Sequence, residues 1–459
     1  MQNNIFRFVF LLILSNTAFA NVTLPNIFSD NMVLQRNAEV TIWGWANPQE
    51  EVVITPSWNN ETYKIKASNQ AKWEIVIPTP KEGGPYIIAI KGYNEIVLKN
   101  ILIGEVWICS GQSNMEMNAS WGIENGDEEV KNATNQNIRL FLVPKLTATT
   151  PQNNISGTWT ACTPETMKYF SAVGYFFGKR LQEELKNVPI GLISSNWGGT
   201  PAEIWMPEEV VQNDAVLLET AKTRKEESYG PNQPARAFNA MIYPLTKFKI
   251  AGALWYQGES NVGSAVYDKT LSALITSWRQ LWKNDFPFYY VQIAPYKYGE
   301  DHFGGSIIRD AQRKVLLEVP NTGMVVISDV STAEDIHPKD KKSVGTRLAN
   351  LALVNTYKTN SALVNGPIFK GIAINKNKVT VTFDYSEGLY FKDKKADLFE
   401  IAGTDNVFYK ATAVIKNNAI VLQSDKVKTP VKVRYAWKNT DQATLFNKAN
   451  LPTSSFISE

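Results

Sequence analysis

The sequence is poor in histidine and cysteine, and it carries little net charge for its length. The 459-residue chain contains two histidines and two cysteines, and its formal net charge is +3. Such a balanced charge argues against a nucleic-acid-binding surface or a basic membrane-binding face. The two histidines do not form a His-x-x-x-His pattern, so a catalytic zinc site is not expected. We therefore predict neither a metal nor an organic cofactor.

Long apolar runs are also missing after the N-terminus. The first 20 residues contain one positive residue, Arg7, then an apolar run from Phe8 to Leu14 and a small-x-small sequence that ends at Ala20. This order predicts a signal peptide that is cleaved after Ala20. No cysteine follows the cleavage site, and no later run approaches the ~18 apolar residues that span a membrane. The sequence thus predicts an exported protein, periplasmic or secreted, without a membrane anchor.

The two cysteines leave their redox state open. Export would place Cys109 and Cys162 in a compartment where they could form a disulfide. Both could equally remain buried free thiols. We predict a disulfide only if the fold brings the two residues together, and the sequence gives no information on oligomeric state.

Strand and helix patterns predict three regions after the signal peptide (residues 1–20). Residues 21–104 and 356–459 contain short strand-like runs, such as VTIWGW and KVTVTFDY, separated by turns, which predicts two β-rich domains. Residues 105–355 alternate buried strand-like runs with helix-period segments. This alternation predicts an α/β domain with a parallel sheet and helices on both faces. The β-rich domains could bind glycans or only brace the α/β domain.

Three polar turns that contain glycine follow buried strands of the predicted α/β domain. They are GQSN at 111–114, GGT at 198–200 and GESN at 258–261. Ligand sites in an open parallel sheet form beyond the carboxyl ends of the strands, so these turns predict one shared site. Ser113 in the first turn is a candidate nucleophile, although serine is also common in turns for local hydrogen bonding.

A serine nucleophile needs a base, and two histidines leave a narrow choice. His337 lies in EDIHP, where Asp335 and Glu334 precede it by two and three residues and could orient its imidazole. His302 lies in a glycine-rich loop, where we expect it to be solvent-exposed, with a substrate contact as the alternative.

The nucleophile also needs an oxyanion hole, and the other two turns offer donors. Glycine allows close approach to its backbone N–H, so Gly199 or Gly198 could donate to a developing oxyanion. Asn261 could donate its side-chain amide. Ordinary loop geometry remains the alternative for each of these residues.

The motifs GQSNM, NWGGT, WYQGESN and DIHP, in this order, resemble those of the SGNH-type hydrolases. They are more closely similar to the sialate O-acetylesterase-like carbohydrate esterases, as are LPNIFSDNMVLQR near the start and ATLFNKANLPTSSF near the end. The resemblance implies a flavodoxin-like catalytic domain that hydrolyses O-acetyl esters on carbohydrates, O-acetylated sialic acids above all. Acetyl-xylan or another plant polysaccharide is the alternative substrate. A non-catalytic sugar-binding protein of the same fold is the second alternative.

The same resemblance implies roles for individual residues. Ser113 would be the nucleophile, His337 the base and Asp335 its orienting acid, while the N–H of Ser113, Gly199 and Asn261 would form the oxyanion hole. The general SGNH pattern has aspartate three residues before the histidine, so Glu334 stays in reserve. Further residues of the turns, and two arginines suited to a sialate carboxylate, are candidate substrate-binding residues: Gln112, Trp197, Gln257, Glu259, Arg236 and Arg309.

Overall fold

The computed structural model describes residues 21–224 and 227–458. The predicted signal peptide lies outside these residues. Within the described ranges, no helix combines the length and the apolar character needed to cross a bilayer.

The N-terminal region is built from strands whose side chains alternate between buried and exposed. In the fifth strand, for example, Trp73 and Ile77 are buried while Lys72 and Glu74 are exposed, which is the two-residue period of a half-buried strand. The second strand pairs with the fifth, and the third strand pairs with the fourth and sixth, all antiparallel. The strands are β1 (Val33–Gln35), β2 (Glu39–Trp45), β3 (Glu51–Pro56), β4 (Tyr63–Lys66), β5 (Lys72–Pro78), β6 (Gly83–Lys91) and β7 (Glu95–Gly111).

Strand β7 links the N-terminal region to the central sheet without interruption. Its first part pairs antiparallel with β6 and parallel with β1. Its last part enters the central sheet, where every residue from Leu102 to Gly111 is buried. Such a continuous buried run is typical of a parallel strand covered on both faces. The domain boundary predicted at residue 104 therefore lies inside one strand.

The central region confirms the predicted α/β class. Strands and helices alternate along the chain, with one π-helical segment at Phe238–Ile242 and several short 3-10 turns. The elements are α1 (Ser113–Glu116), α2 (Gly126–Lys131), β8 (Asn135–Leu142), β9 (Trp159–Cys162), α3 (Pro164–Met167), α4 (Ala172–Leu185), β10 (Ile190–Asn196), α5 (Glu208–Gln212), α6 (Ala215–Lys222), β11 (Gly252–Tyr256), α7 (Tyr267–Trp282), β12 (Phe288–Val291), α8 (Gly304–Glu318), β13 (Thr322–Val325) and α9 (Lys341–Asn355).

The central sheet has the strand order β13-β12-β11-β7-β10-β8-β9, and all pairs are parallel except β8–β9. Its two faces carry separate cores. Val106 and Ile108 of β7 lie in the core that includes residues of α7 and α8. Trp107 and Cys109 lie in the core formed with α4 and α9. Strands β8 to β10 lie on one side of β7 in the sheet, and strands β11 to β13 lie on the other side. The carboxyl end of β7 is therefore a topological switch point, where open α/β sheets place ligand sites.

The C-terminal region is β-rich, as predicted, and has its own core around Val381, Phe399 and Tyr435. Two four-stranded antiparallel sheets dominate it, and Phe456 of the last strand stacks on Phe369 with ring centroids 4.3 Å apart. The strands are β14 (Ile368–Asn375), β15 (Lys378–Asp384), β16 (Tyr390–Phe391), β17 (Phe399–Ala402), β18 (Phe408–Lys410), β19 (Thr412–Lys416), β20 (Ala419–Gln423), β21 (Lys432–Tyr435), β22 (Leu445–Phe446) and β23 (Phe456–Ile457).

Both cysteines are buried free thiols, and the structure has no disulfide between them. Cys109 and Cys162 lie in the same apolar core. Burial raises the pKa of both thiols, which keeps them protonated and unreactive.

Candidate active site

The predicted nucleophile lies at the carboxyl end of the central strand β7. The turn requires glycine at 111, because φ there is +137° and a Cβ would lie 2.2 Å from the carbonyl oxygen of Tyr256. The N–H of Gln112 donates to the same carbonyl at 3.0 Å and ties the turn to β11. Ser113 follows as the first residue of α1 and is half-buried.

His337 lies beside Ser113, on the loop between β13 and α9. Its Nε2 is 2.8 Å from the Oγ of Ser113, within the range for proton transfer between a serine and its base. The imidazole is half-buried, and the ring of Trp121 meets it edge-on with centroids 6.2 Å apart. Two residues that are 224 positions apart in the sequence are thus brought into direct contact.

Asp335 and Glu334 differ in their relation to His337. The Oδ1 of Asp335 accepts a hydrogen bond from the backbone N–H of His337 at 2.8 Å, so this carboxylate fixes the loop that carries the imidazole. Glu334 is exposed to solvent. Burial and the charge of Lys341 lower the pKa of His337, and Asp335 acts in the opposite direction. The position and charge of Asp335 favour it over Glu334 as the orienting acid.

The second predicted turn lies against the nucleophile. A Cβ on Gly198 would be 3.2 Å from the Cβ of Ser113, so the two backbones are in close contact. The N–H of Gly198 donates to Oε2 of Glu116 at 2.6 Å and is therefore occupied. Within residues 21–224 and 227–458, the N–H groups of Gly199 and Ser113 make no hydrogen bond. These two donors are free to bind an oxyanion.

Asn261, the third predicted oxyanion donor, is held in place by hydrogen bonds of its side chain, and its donor role stays a prediction. Its Nδ2 donates to both carboxylate oxygens of Glu203, at 3.1 and 3.0 Å. Its Oδ1 accepts from the N–H of Ala202 and from Nε2 of Gln257. The side chain is completely buried. The two oxygens of one carboxylate subtend a much smaller angle at Nδ2 than its two N–H bonds do, so Glu203 takes one proton and the second remains available for an oxyanion.

A buried polar cluster lies behind Ser113, and most of it was not predicted from the sequence. Nδ2 of Asn114 donates to Oε1 of Glu259 at 2.6 Å and to the carbonyl of Ile336 at 2.9 Å. Nζ of Lys341 donates to Oδ1 of Asn114 at 2.6 Å and lies 5.4 Å from the ring centroid of Tyr256. Asn114 therefore connects the nucleophile turn to the residue that precedes His337.

The charges of this cluster are strongly perturbed by burial. Lys341 is 1% exposed, and burial lowers its pKa to about 7, with the carboxylate of Glu259 acting against this shift. Burial raises the pKa of Glu259, whose Oε2 has no hydrogen-bond partner among the described residues. Glu259 thus supports the turn from inside and does not face the open side of the site.

Of the other residues predicted from the turns, some are buried and hydrogen-bond to the backbone, and one is partly exposed at the site. Oε1 of Gln112 accepts from the N–H of Ser260, and the buried Gln257 donates to the carbonyl of Thr200. Trp197 is half-buried, and its Nε1 donates to the carbonyl of Tyr229. Of these predicted residues, Trp197 is the one with a side chain available to a ligand.

The two predicted arginines have different environments. Arg309 is 1% exposed, and its guanidinium donates to the hydroxyl of Ser455 and to the backbone carbonyls of residues 436, 438 and 439. We therefore assign it a structural role in holding the C-terminal region. Arg236 is half-buried and donates to Gln233. His302 is exposed, as expected, and its carbonyl accepts from the N–H of Asn439.

Three aromatic or charged residues at the open side of the site lie outside the sequence motifs and were not predicted. Trp121 is 44% exposed beside His337, and Tyr229 packs over Gly199, where a Cβ would lie 2.3 Å from its ring. Lys145 pairs with Glu116 at 2.6 Å, and its Nζ lies 5.9 Å from the ring centroid of Trp197.

The fold and the site together define a class: a hydrolase on a parallel α/β sheet, with a serine–histidine pair at the carboxyl end of the central strand. The family model of carbohydrate esterases described as sialic acid-specific acetylesterase matches residues 103–354. The sialate O-acetylesterases of Pongo abelii and Homo sapiens are each 30% identical over 94% of this chain and 91% of theirs. A carbohydrate acetylesterase from Xanthomonas citri, known from its crystal structure, is 34% identical in sequence to this chain, and the two structures superpose with a TM-score of 0.87. The match covers 95% of this chain and 99% of that one.

The chain belongs to the sialic acid-specific acetylesterase family of carbohydrate esterases. This membership confirms the resemblance that the motifs indicate. The protein is a carboxylic ester hydrolase, and its chemistry is carbohydrate deacetylation.

Proposed function

We propose that the protein is an exported serine esterase that removes O-acetyl groups from sugars through an acetyl-serine intermediate. The observation that carries the mechanism is the 2.8 Å contact between Oγ of Ser113 and Nε2 of His337 at the end of β7. An intact pair of this kind argues against a non-catalytic sugar-binding protein of the same fold.

The reaction has two halves that use the same residues. Oγ of Ser113 attacks the acetyl carbonyl carbon while its proton passes to Nε2 of His337. The oxyanion is bound by the N–H groups of Ser113 and Gly199 and by the side-chain amide of Asn261. The imidazolium then gives this proton to the sugar oxygen, which leaves as a hydroxyl. Water, deprotonated by His337, attacks the acetyl-serine, and acetate leaves as Ser113 recovers its proton.

The environment of His337 suits the role of a base. A base must be neutral to accept a proton, and partial burial together with Lys341 lowers the pKa of His337 from its ordinary value. Asp335 stabilises the imidazolium once it forms, because its negative charge lies close to the ring. The two opposing charges let the residue alternate between its protonation states during the cycle.

We propose O-acetylated sialic acids as the substrate. The family model and the mammalian relatives carry that specificity in their names. Arg236 is the remaining candidate for the sialate carboxylate, since it is half-buried, lines a groove together with Gly230 and donates to Gln233 instead of to an acid. Acetyl-xylan or another acetylated plant polysaccharide remains the alternative, and the Xanthomonas citri relative is described only as a carbohydrate acetylesterase.

Acetate release from a panel of substrates tests this proposal. The purified protein should release acetate from O-acetylated sialic acids faster than from acetyl-xylan, and Arg236→Ala should reduce the rate on the sialic acids alone. The Ser113→Ala variant is the matched control for contaminating esterases. If no acetylated sugar and no p-nitrophenyl acetate is hydrolysed by the folded protein, the proposed function is wrong.

The proposed export rests on residues 1–20, outside the described structure. N-terminal sequencing of the protein exported by a bacterial host should begin at Asn21. Recovery of intact Met1 on exported material would contradict the cleavage site.

A further inference from the structure

An aromatic cleft lies between the N-terminal β strands and the central α/β region. It has a volume of about 370 Å³. Trp43 and Trp73, which are almost fully buried, form part of its lining, and Trp45 and Tyr243 are half-exposed. The polar residues of the cleft are amides, hydroxyls and charged groups: Ser68, Lys72, Glu74, Gln152, Asn153, Thr246 and Lys247.

Shared lining residues relate the aromatic cleft to two further grooves and to the turn beside Ser113. Gln152 lines both the aromatic cleft and a second groove, and Thr147 and Arg236 line both that groove and a third. The third groove reaches Gly230. A Cβ on Gly230 would lie 3.5 Å from the carbonyl oxygen of Gly198, so the third groove adjoins the turn that contacts Ser113.

One irregular segment of the chain follows this whole path. Lys145 contacts Glu116 and Trp197 beside the nucleophile, Thr147 lines the middle grooves, and Gln152 lines the aromatic cleft. Gln152 lies seven positions after Lys145, so the path between them spans at most about 25 Å, by the reach of an extended chain. A short oligosaccharide has a comparable length scale, whereas a single sugar could occupy only one end of the path.

The chemistry of the path suits sugars that carry no charge. Tryptophan and tyrosine offer an apolar ring face with a polar edge, and the amides and hydroxyls nearby can bond to sugar hydroxyls. The charged residues of the cleft lie on its exposed part, where Lys247 pairs with Glu74. This mixture of polar groups distinguishes the cleft from a purely apolar protein-docking groove.

We propose that this path, from Trp197 and Tyr229 to Trp45 and Tyr243, binds the neutral sugar chain attached to the acetylated residue. The proposal rests on the proposed function, because it takes the acetylated sugar to lie at Ser113. The substrate is then an acetylated oligosaccharide or polysaccharide rather than a free acetylated monosaccharide. The N-terminal strands contribute part of the substrate-binding surface instead of only bracing the central region.

The test compares acetylated chains of increasing length. For the wild-type protein, KM should fall as neutral sugar units are added, in either an O-acetylated sialyl-oligosaccharide series or an acetylated xylo-oligosaccharide series. The series in which KM falls with length identifies the kind of oligosaccharide that the path binds. Trp45→Ala and, separately, Tyr243→Ala should each raise KM for the longest chain by about tenfold, the usual cost of truncating an aromatic anchor. Hydrolysis of p-nitrophenyl acetate reports whether each variant is folded.

Tyr93→Ala is the matched control, since Tyr93 is 65% exposed on the same N-terminal region and does not line the cleft. It should leave the length dependence intact. Equal KM values for short and long chains in both series, or an unchanged length dependence in folded Trp45→Ala and Tyr243→Ala, would overturn the inference.

A binding measurement separates this inference from the proposed function. Calorimetric titration of Ser113→Ala with deacetylated oligosaccharides of both series should show binding that weakens in the Ser113→Ala/Trp45→Ala double variant. If neither the wild type nor any variant releases acetate but this binding is seen, the proposed function has failed, and the path remains a binding site for neutral sugar chains. If acetate is released but neither series binds, the inference has failed and the function stands.

Discussion

The two sides of the Ser113 turn differ in whether the hydrogen-bond donors of the turn residues are paired. On the open side, Ser113 contacts His337, and the N–H groups of Ser113 and Gly199 make no hydrogen bond within the described residues. On the inner side, the amide of Asn114 is hydrogen-bonded to Glu259, to the carbonyl of Ile336 and to Lys341. We expect the free donors to face the reacting ester and the paired groups behind them to hold the geometry. Variants on the two sides should therefore fail in different ways.

The largest loss should follow removal of the open-side pair. Ser113→Ala removes the atom that becomes acetylated, and His337→Ala leaves that atom without a base. Each should lower kcat by on the order of 10⁴-fold or more, and the double variant should be little worse than the poorer single variant, because the residues act as one unit. Steady-state hydrolysis of p-nitrophenyl acetate measures kcat for each variant. If the losses of the two single variants simply multiplied in the double variant, Ser113 and His337 would not act as one unit.

A smaller loss should follow a change in the orienting acid. Asp335→Asn keeps the shape that accepts the N–H of His337 but removes the charge, and kcat should fall by roughly 10²- to 10⁴-fold. Glu334→Gln is the matched control, since Glu334 is exposed, and it should stay close to wild type. The reverse order of damage would show that Glu334 is the orienting acid.

A change on the inner side should move the pH dependence more than the rate. Since burial and Lys341 lower the pKa of His337, the acid limb of kcat/KM should lie below pH ~6.5, the ordinary value for histidine. Lys341, with a pKa of about 7, is cationic in that range. Lys341→Met removes this charge, so the imidazolium is less disfavoured and the acid limb should move to higher pH. Asp335→Asn should move it to lower pH.

Lys342→Met is the control for this shift. Lys342 is the next residue in the chain, but it is exposed and pairs with Glu129, so the acid limb should not move. An acid limb that is identical in Lys341→Met and the wild type would show that Lys341 does not act on His337.

The smallest effect is expected for the second histidine. His302 is exposed and contacts the rest of the molecule through its carbonyl, so His302→Ala should change kcat/KM by less than about twofold. Loss of activity in this variant, with His337→Ala still active, would mean that the base is misassigned.

The sequence predicted the open side of the site better than the inner side. The strand–turn–helix alternation placed three glycine turns at one sheet edge, and the scarcity of histidine singled out His337 as the base. The first conclusion depends on a local sequence pattern, and the second depends on the small number of histidines. Helix α7 carries the same kind of local pattern, since Tyr267, Leu271 and Trp278 recur at helical spacing along its buried face.

The inner side depends on contacts that no local pattern contains. Lys341 looks like a surface residue in the run DKKSV, and only the fold places it against Asn114, 227 positions away in the sequence. Nothing in the sequence indicates that Glu203 lies opposite Asn261 and shares one of its amide protons. Residue types reveal which chemistry is available, but the direction of each donor is set by long-range packing.

Trapping the acyl-enzyme tests the central claim most directly. The protein is mixed with excess p-nitrophenyl acetate, quenched in acid within the first turnover and digested for mass spectrometry. The account predicts one acetyl group on Ser113 and none on that peptide in Ser113→Ala. Hydrolysis at the wild-type rate in Ser113→Ala, or an acetyl group that accumulates on a different side chain in the native protein, would contradict it.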